Sequence, residues 1–200
     1  MSFTKVKPIE SRQSASLALL ERLAGQALPQ AQDLAPVLVC LSPEAALFEA
    51  GQAHPFVYVV REGLLKLHYL QADGQEWIKS FSAEGMFFGS LSALQPGGRS
   101  SFAVTAIEAS LLERIDYRRL EQLAAAHPPW LLALYRAMQH FAALKESRER
   151  ELLTLTPPER YAAFLAEAPQ LAERIPLKDM ARYLGVTPVS LSRIRRRLKA

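Results

Sequence analysis

The stretch that most constrains how this chain folds is residues 175–200, where Gly185 separates two short amphipathic segments. In the first segment, apolar residues recur at the spacing of one helix face, at Leu177, Met180, Ala181 and Leu184. Glycine adopts the positive φ that ends a helix. Thr187 suits the cap of the next helix, and Pro188 suits its first position, where no N–H is needed. The pattern therefore predicts two helices joined by a tight turn.

The second predicted helix has two chemically different faces. Leu191, Ile194 and Leu198 share one face, which we expect to be buried. The opposite face carries small and basic residues, at Val189, Ser192, Arg193 and Arg196. Slim residues near a helix N-terminus, followed by guanidinium groups, suit a helix that enters the DNA major groove.

Positive charge is concentrated in the same part of the chain. Residues 171–200 hold eight basic and two acidic residues, a net +6, whereas the whole chain carries +4, so the other 170 residues sum to −2. A solvated basic helix face is the simpler interpretation of a charge run. Charge segregated onto a helix-turn-helix is nevertheless typical of a protein that binds a polyanion, and we expect this segment to bind DNA.

The composition argues against several other classes of protein, namely metal-binding, haem-binding, secreted and catalytic ones. The single cysteine, Cys40, excludes an internal disulfide and a cysteine-ligated cluster within one chain, so no metal site is expected. The four histidines are scattered and are weak evidence for haem: His54, His68, His127 and His140. The absence of a signal-peptide pattern and of a long apolar run predicts a cytoplasmic protein. The sequence also lacks a recognisable catalytic signature, which argues against an enzyme.

Residues 37–117 differ from the rest of the chain in their pattern of apolar and turn-forming residues. Short apolar or alternating runs are separated by turn signals roughly every eight to twelve residues, which is typical of a small all-β barrel or sandwich. Asp73-Gly74 between two such runs predicts a hairpin. Before this region, residues 1–10 are predicted to be an irregular start, and helices are expected over residues 11–25 and 29–34.

A long helix is predicted over residues 130–153, after a shorter helix over residues 117–126. Its apolar residues are spaced three, four and three apart, like a short coiled-coil seam, at Leu131, Leu134, Met138 and Phe141. This face either packs on its own barrel or pairs with the same helix of a second copy, and its length favours pairing. Thr156 and Glu159 then form a capping-box pattern for a helix over residues 157–167.

The order of barrel, long helix and helix-turn-helix resembles the Crp/Fnr family of bacterial transcription regulators. The residues that carry the resemblance are FVYVVREG at 56–63, DG at 73–74, FFG at 87–89, RS at 99–100 and LGVTPVSLSRIRRRL at 184–198. The resemblance implies an α+β protein with three parts. These are a jelly-roll-like, cyclic-nucleotide-binding-like sensor barrel with N-terminal helices over residues 1–128, a dimerisation helix over 129–153, and a winged helix-turn-helix domain over 154–200.

The resemblance also implies an effector site in the barrel. In the family, a Gly-Glu-Leu and Arg-Ser cassette holds the phosphate and ribose of a cyclic nucleotide. The matching positions are Gly89, Ser90, Leu91, Arg99 and Ser100. Ser90 replaces the glutamate that accepts from the ribose hydroxyl, a loss of about 1.5–3 kcal/mol. We therefore expect a degenerate site without a bound cofactor, although an anion held by Arg99 and Ser100 stays an open alternative.

The DNA contacts implied by the resemblance depart in part from the family pattern. The family's Arg-Glu-x-x-x-Arg matches Pro188, Val189 and Arg193, so only the last basic residue is kept, and Val189 suits a thymine methyl group. Lys178, Thr187 and Ser190 match positions that touch phosphates. The predicted DNA-binding set is Lys178, Thr187, Pro188, Val189, Ser190, Ser192, Arg193 and Arg196. The implied partners are double-stranded DNA, a second copy of the chain and RNA polymerase.

The sequence thus predicts a homodimeric, sequence-specific transcription regulator with a degenerate effector barrel. The alternative is a cyclic-nucleotide-binding signalling module whose basic tail has no role with DNA. Binding to duplex DNA with a steep salt dependence would separate the two, because neutralised phosphates release counterions.

Overall fold

The computed structural model describes residues 4–8 and 14–199, in which two antiparallel sheets face each other. One sheet has the strand order β1-β2-β9-β4-β7 and the other the order β3-β8-β5-β6. The strands are β1 Thr4–Pro8, β2 Val37–Leu41, β3 Ala46–Phe48, β4 Phe56–Glu62, β5 Leu64–Leu70, β6 Glu76–Ala83, β7 Phe87–Gly89, β8 Ala103–Ala106 and β9 Ser110–Asp116. The predicted α+β class, with an antiparallel β structure before the helices, is confirmed.

The barrel core forms because alternate residues of the strands point between the two sheets. Tyr58, Val60 and Leu112 from one sheet meet Leu65 and Val104 from the other, and all five are almost completely buried. The strand β1 pairs with β2, so the prediction of an irregular start is wrong for these residues. Its hydrogen bonds depend on a partner strand far along the chain, which the local pattern does not reveal.

The hairpin predicted at Asp73-Gly74 joins β5 to β6. Gly74 has φ 84°, in the left-handed region that glycine adopts without strain, and its N–H donates to the Gln71 carbonyl at 2.9 Å. The Asp73 carboxylate accepts from the Gln75 N–H at 2.8 Å. The turn residues therefore stabilise the hairpin locally.

Eight helices are present among the described residues. They are α1 Ala15–Ala24, α2 Leu91–Leu94, α3 Tyr117–Ala126, α4 Pro128–Thr154, α5 Pro157–Glu167, α6 Pro169–Arg174, α7 Leu177–Leu184 and α8 Pro188–Lys199. The short piece predicted over residues 29–34 is a 3₁₀ turn at Ala31–Leu34. The first three residues of the helix predicted over 11–25 lie outside the described residues.

The start of α1 is held by a buried carboxylate on β9. Glu113 is fully buried and accepts hydrogen bonds from the Ser14 hydroxyl at 2.8 Å, the Ala15 N–H at 2.7 Å and the Ser16 N–H at 2.9 Å. A carboxylate at a helix N-terminus satisfies N–H groups that have no partner within the helix. This ionic cap fixes α1 against the barrel.

The four C-terminal helices share a core with one barrel sheet. Tyr161, Met180 and Leu191 pack in one cluster with Leu64 of β5 and Ala83 of β6. Leu198 is 50% exposed, so the buried face predicted for the last helix is wrong at this residue, because no described element reaches the last turn of α8. Within residues 4–8 and 14–199 no strand follows Asp116, and the wing implied by the resemblance is not among them.

Candidate nucleic-acid interface and effector barrel

The helix-turn-helix geometry follows from two residues of the turn. Gly185 has φ 72° and ends α7, as its sequence position predicts. The Thr187 hydroxyl oxygen accepts from the Ser190 N–H at 3.2 Å, which caps the start of α8. Leu191 is fully buried below this turn. The opposite face of α8 consequently lies toward solvent.

The predicted DNA-binding residues lie together on this exposed side of α8 and on the adjacent start of α7. Lys178, Thr187, Pro188, Val189, Ser192, Arg193 and Arg196 are exposed, and Ser190 is half-buried. Among the described residues, neither Arg193 nor Arg196 forms an ion pair with a carboxylate. Their guanidinium groups are therefore available to guanine edges and phosphates, although the individual DNA contacts stay a prediction.

Other basic residues near the C-terminus have structural roles that their charge does not reveal. The Arg195 guanidinium lies 5.5 Å from the centroid of the Tyr161 ring. Arg160 donates to the Leu184 carbonyl at 2.9 Å and so joins α5 to the end of α7. Arg148 of α4 stacks 3.7 Å from the Tyr183 ring centroid. Charge counting alone does not separate these arginines from those that face solvent.

Two ionic clusters hold the helix-turn-helix on the barrel. In the first, Arg174 donates two hydrogen bonds to Glu84, both at 2.9 Å, and also contacts Glu108 at 2.6 Å. Hydrogen bonds from Arg174 are the main reason that the pKa of Glu84 is lowered to about 2. The partners are separated by 90 and 66 positions in the chain, so no sequence motif indicates the cluster.

The second cluster lies between β5, β6 and α7. Lys66 contacts Glu76 at 2.8 Å and Asp179 at 3.5 Å, and Arg182 also pairs with Glu76. The Lys66, Glu76 and Asp179 side chains are about nine-tenths buried. Because charges at this depth are stable only when paired, the cluster fixes α7 in one position on the sheet.

The predicted effector cassette runs from the end of β7 through α2 to Ser100, and its polar side chains form hydrogen bonds within the protein. The Ser90 hydroxyl is buried and lies 3.0 Å from that of Ser92. Arg99 donates to the Gly51 carbonyl at 2.8 Å, and the Ser100 hydroxyl donates to the Phe102 carbonyl at 2.7 Å. Gly89 and Leu91 flank Ser90 at the end of β7 and the start of α2. The arginine and both hydroxyls are thus engaged within the protein itself.

Comparison with known proteins agrees with this architecture. The family model described as "Cyclic nucleotide-binding domain" matches residues 38–127. The anaerobic regulatory protein of Haemophilus influenzae is 28% identical over 161 residues, which cover 74% of this chain and 61% of the relative. The nitrogen fixation regulation protein FixK of Rhizobium meliloti is 27% identical over 198 residues, which cover 88% of this chain and 86% of the relative. FixK2 from Bradyrhizobium japonicum superimposes with a TM-score of 0.73 at 22% identity, over 82% of this chain and 84% of that one.

The chain resembles the Crp/Fnr regulators in its sequence pattern and FixK2 in its fold. It spans about three-fifths of the length of the H. influenzae relative. No helix in the described part of the chain is long and apolar enough to cross a membrane.

The barrel interior contains a stack of aromatic rings next to the cassette. The Tyr58 ring lies between those of Phe88, at 5.3 Å, and His54, at 5.7 Å. The His54 Nε2 atom lies 2.8 Å from the Tyr58 hydroxyl. Burial, helped by the nearby Arg114, lowers the pKa of His54 to about 4, so the ring is neutral at pH 7. These contacts give His54 a structural role in the core.

The predicted dimer seam on α4 divides into two sides. Leu131 is 56% exposed, as a residue that pairs with a second copy would be. Leu134, Met138 and Phe141 instead line a small cavity with Val57 and other barrel residues. For these three residues the alternative, packing on their own barrel, is the arrangement observed. In the single chain the four residues therefore have different surroundings, and their pairing with a second copy stays a prediction.

Proposed function

We propose that this chain is a homodimeric, sequence-specific DNA-binding regulator of transcription that catalyses no reaction. The observation that carries the proposal is the exposed face of α8, which holds Val189, Ser192, Arg193 and Arg196. On the opposite face, Leu191 is completely buried in the core. A rigid helix with an exposed basic face is suited to the major groove. RNA polymerase is proposed as a further partner of the DNA-bound dimer.

The dimer is supported by a free apolar stripe on α4. At about 100° per residue, four exposed apolar residues fall within about 40° of one another around the helix, at Leu131, Tyr135, Ala142 and Leu153, in an arc that also holds the exposed Glu149. The helix has 27 residues and is therefore about 40 Å long. Two such helices packed about a two-fold axis would present two copies of α8 to half-sites about 34–36 Å apart.

The rival function, a cyclic-nucleotide module without a role with DNA, requires a cassette that grips a phosphate. One N–H of Arg99 already donates to the Gly51 carbonyl, and Ser90 provides no carboxylate for a ribose hydroxyl. Both observations favour a barrel that no longer binds cyclic nucleotides. The segregated charge of residues 171–200 favours DNA as the partner.

Binding-site selection from a random duplex pool, followed by affinity measurements at several salt concentrations, tests the proposal. Arg193→Ala should cost about 1–3 kcal/mol and relax the preference at one base pair in each half-site. Lys178→Ala should weaken all sequences alike and reduce the salt slope by about one unit. Arg119→Ala, an exposed change on α3, is the control. Recovery of the wild-type sequence preference with Arg193→Ala would show that this residue does not read a base.

A further inference from the structure

The outer face of β5 carries polar and charged side chains that the helix-turn-helix covers. Leu65 and Leu67 point into the barrel core. Lys66 and His68 alternate with them and so lie on the other side of the sheet, yet both are only 8% exposed. Lys66 contacts Asp179 of α7 at 3.5 Å, so α7 lies over this face. The contact between the helix-turn-helix and the barrel is therefore partly polar.

Both ring nitrogens of His68 have neighbours on adjacent strands. The Nε2 atom lies 3.0 Å from the Thr105 hydroxyl oxygen of β8, and the Nδ1 atom lies 3.1 Å from the Glu76 carboxylate of β6. The contact with Glu76 is not aligned as a hydrogen bond. The same carboxylate is already shared by Lys66, at 2.8 Å, and by Arg182. Glu76 is therefore committed to two cations before His68 takes up a proton.

The second ionic cluster is electrically balanced only while His68 is neutral. Its two cations match its two carboxylates, and these four groups belong to Lys66, Arg182, Glu76 and Asp179. A further carboxylate that acts on the ring, that of Glu49 after β3, is exposed, so water screens it. A proton on His68 would leave one buried positive charge in excess. Such a charge costs free energy here, whereas water stabilises the same imidazolium.

The pKa values agree with this charge balance. Burial, helped by Lys66, lowers the pKa of His68 below its ordinary value of 6.5, and the nearby carboxylates do not reverse the effect. Burial alone would raise the pKa of Glu76, but the neighbouring basic side chains, with Lys66 first, hold it below its ordinary value of 4.5. Glu76 therefore stays ionised between pH 7 and 5, where an imidazole in water becomes charged.

We propose that the contact between α7 and the barrel is an acid-sensitive latch, in which the helix-turn-helix is docked while His68 is neutral and is released when His68 takes up a proton. The docked state binds fewer protons than the released state, so docking is strongest above about pH 6.5 and weakens as the pH falls below it. Release removes α8 from its fixed place on the barrel and should lower the affinity for the operator. Only this consequence for DNA rests on the proposed function; the latch itself does not.

Fluorescence energy transfer within one chain measures docking. Dyes are attached at Ala72→Cys, in the β5–β6 turn, and at Arg197→Cys, on α8, in a Cys40→Ser background; the first two positions are exposed. An excess of unlabelled protein ensures that both dyes of a dimer lie on one chain. At pH 5 the docking constant should be lower by at most about thirtyfold, the limit for an imidazole of ordinary pKa 6.5 that stays neutral when docked. Circular dichroism should not change over the same range.

Substitutions at the cluster separate His68 from other acid effects. His68→Gln keeps a polar side chain that does not titrate, so its energy transfer should not respond between pH 8 and 5. His140→Gln, at an exposed histidine on α4, is the matched control and should respond like wild type. Asp179→Asn leaves an excess positive charge on the cluster at neutral pH and should be partly released already at pH 7.5. It reveals the latch even if wild-type docking is too tight for release at pH 5. His68→Asn is the second non-titrating variant if His68→Gln does not fold.

A pH response that persists in the non-titrating variants would overturn the proposal, as would constant energy transfer in both wild type and Asp179→Asn. A response that coincides with loss of secondary structure would overturn it as well, because acid would then unfold the whole chain. Affinity for the selected operator, measured on unlabelled protein, should fall between pH 7.5 and 5.5 in wild type but not in His68→Gln. A chain that undocks but binds no DNA at either pH contradicts only the proposed function, and a chain that binds DNA without undocking contradicts only the latch.

Discussion

Replacing Arg174 with glutamine should loosen the helix-turn-helix from the barrel. Arg174 lies at the end of α6 and forms paired hydrogen bonds with Glu84, which follows β6, and with Glu108, which lies between β8 and β9. Glutamine keeps some of the aliphatic stem and removes the charge and the fork of donors. The two carboxylates are then left without their common cation.

The magnitude follows from the pKa of Glu84, which is lowered from 4.5 to about 2. Without screening, this displacement corresponds to roughly 3 kcal/mol. The Glu84 side chain is 44% exposed and that of Arg174 is 33% exposed, so water and salt reduce the contribution. We therefore expect Arg174→Gln to lower the free energy of unfolding by about 1–2 kcal/mol at pH 7.

The sign of the pH dependence is fixed by the direction of the shift. A carboxylate with a lowered pKa in the folded state contributes its full stability above about pH 4.5, and that contribution is lost as the pH falls through about 2. Urea unfolding of wild type and variant should therefore differ most between pH 5 and 7 and converge on acidification. The neighbouring Glu173→Gln, an exposed change, is the control. Equal unfolding free energies at pH 7, or a difference that persists undiminished at pH 3, would refute the reasoning.

Four further predictions concern the dimer and the cassette. Leu131→Asp with Tyr135→Asp should give monomers in sedimentation velocity, because both residues lie on the free stripe of α4; a wild type that is monomeric at tens of micromolar would contradict this. Aspartate at Leu134 and Met138 should instead destabilise the fold, because these residues face the barrel, and thermal unfolding measures the loss. Cyclic AMP should not bind with low-micromolar affinity in calorimetry, because Ser90 offers no carboxylate and Arg99 is held by Gly51. If another anion occupies the cassette, Arg99→Ala should abolish its binding.

The sequence by itself determined the elements whose contacts are local. Gly185 and Thr187 fix the turn between α7 and α8 through hydrogen bonds that span at most five residues. The Thr156 N–H donates to the Glu159 carboxylate at 2.7 Å and starts α5 where the capping box predicts. Asp73-Gly74 acts within its own turn. Such signals are readable because both partners belong to one short segment.

Only the tertiary structure decided which side of α4 faces the barrel and which charges pair. The periodicity of α4 gives the angular positions of Leu131 and Leu134, but it contains no information about which neighbour covers each side. Asp179 is an ordinary polar residue in the helical pattern, yet it lies buried against Lys66, 113 positions earlier in the sequence. Lys79 and Lys145 meet because the fold carries α4 across β6. Such pairs arise when the chain path brings distant residues together, and the energy of each depends on burial that no local segment determines.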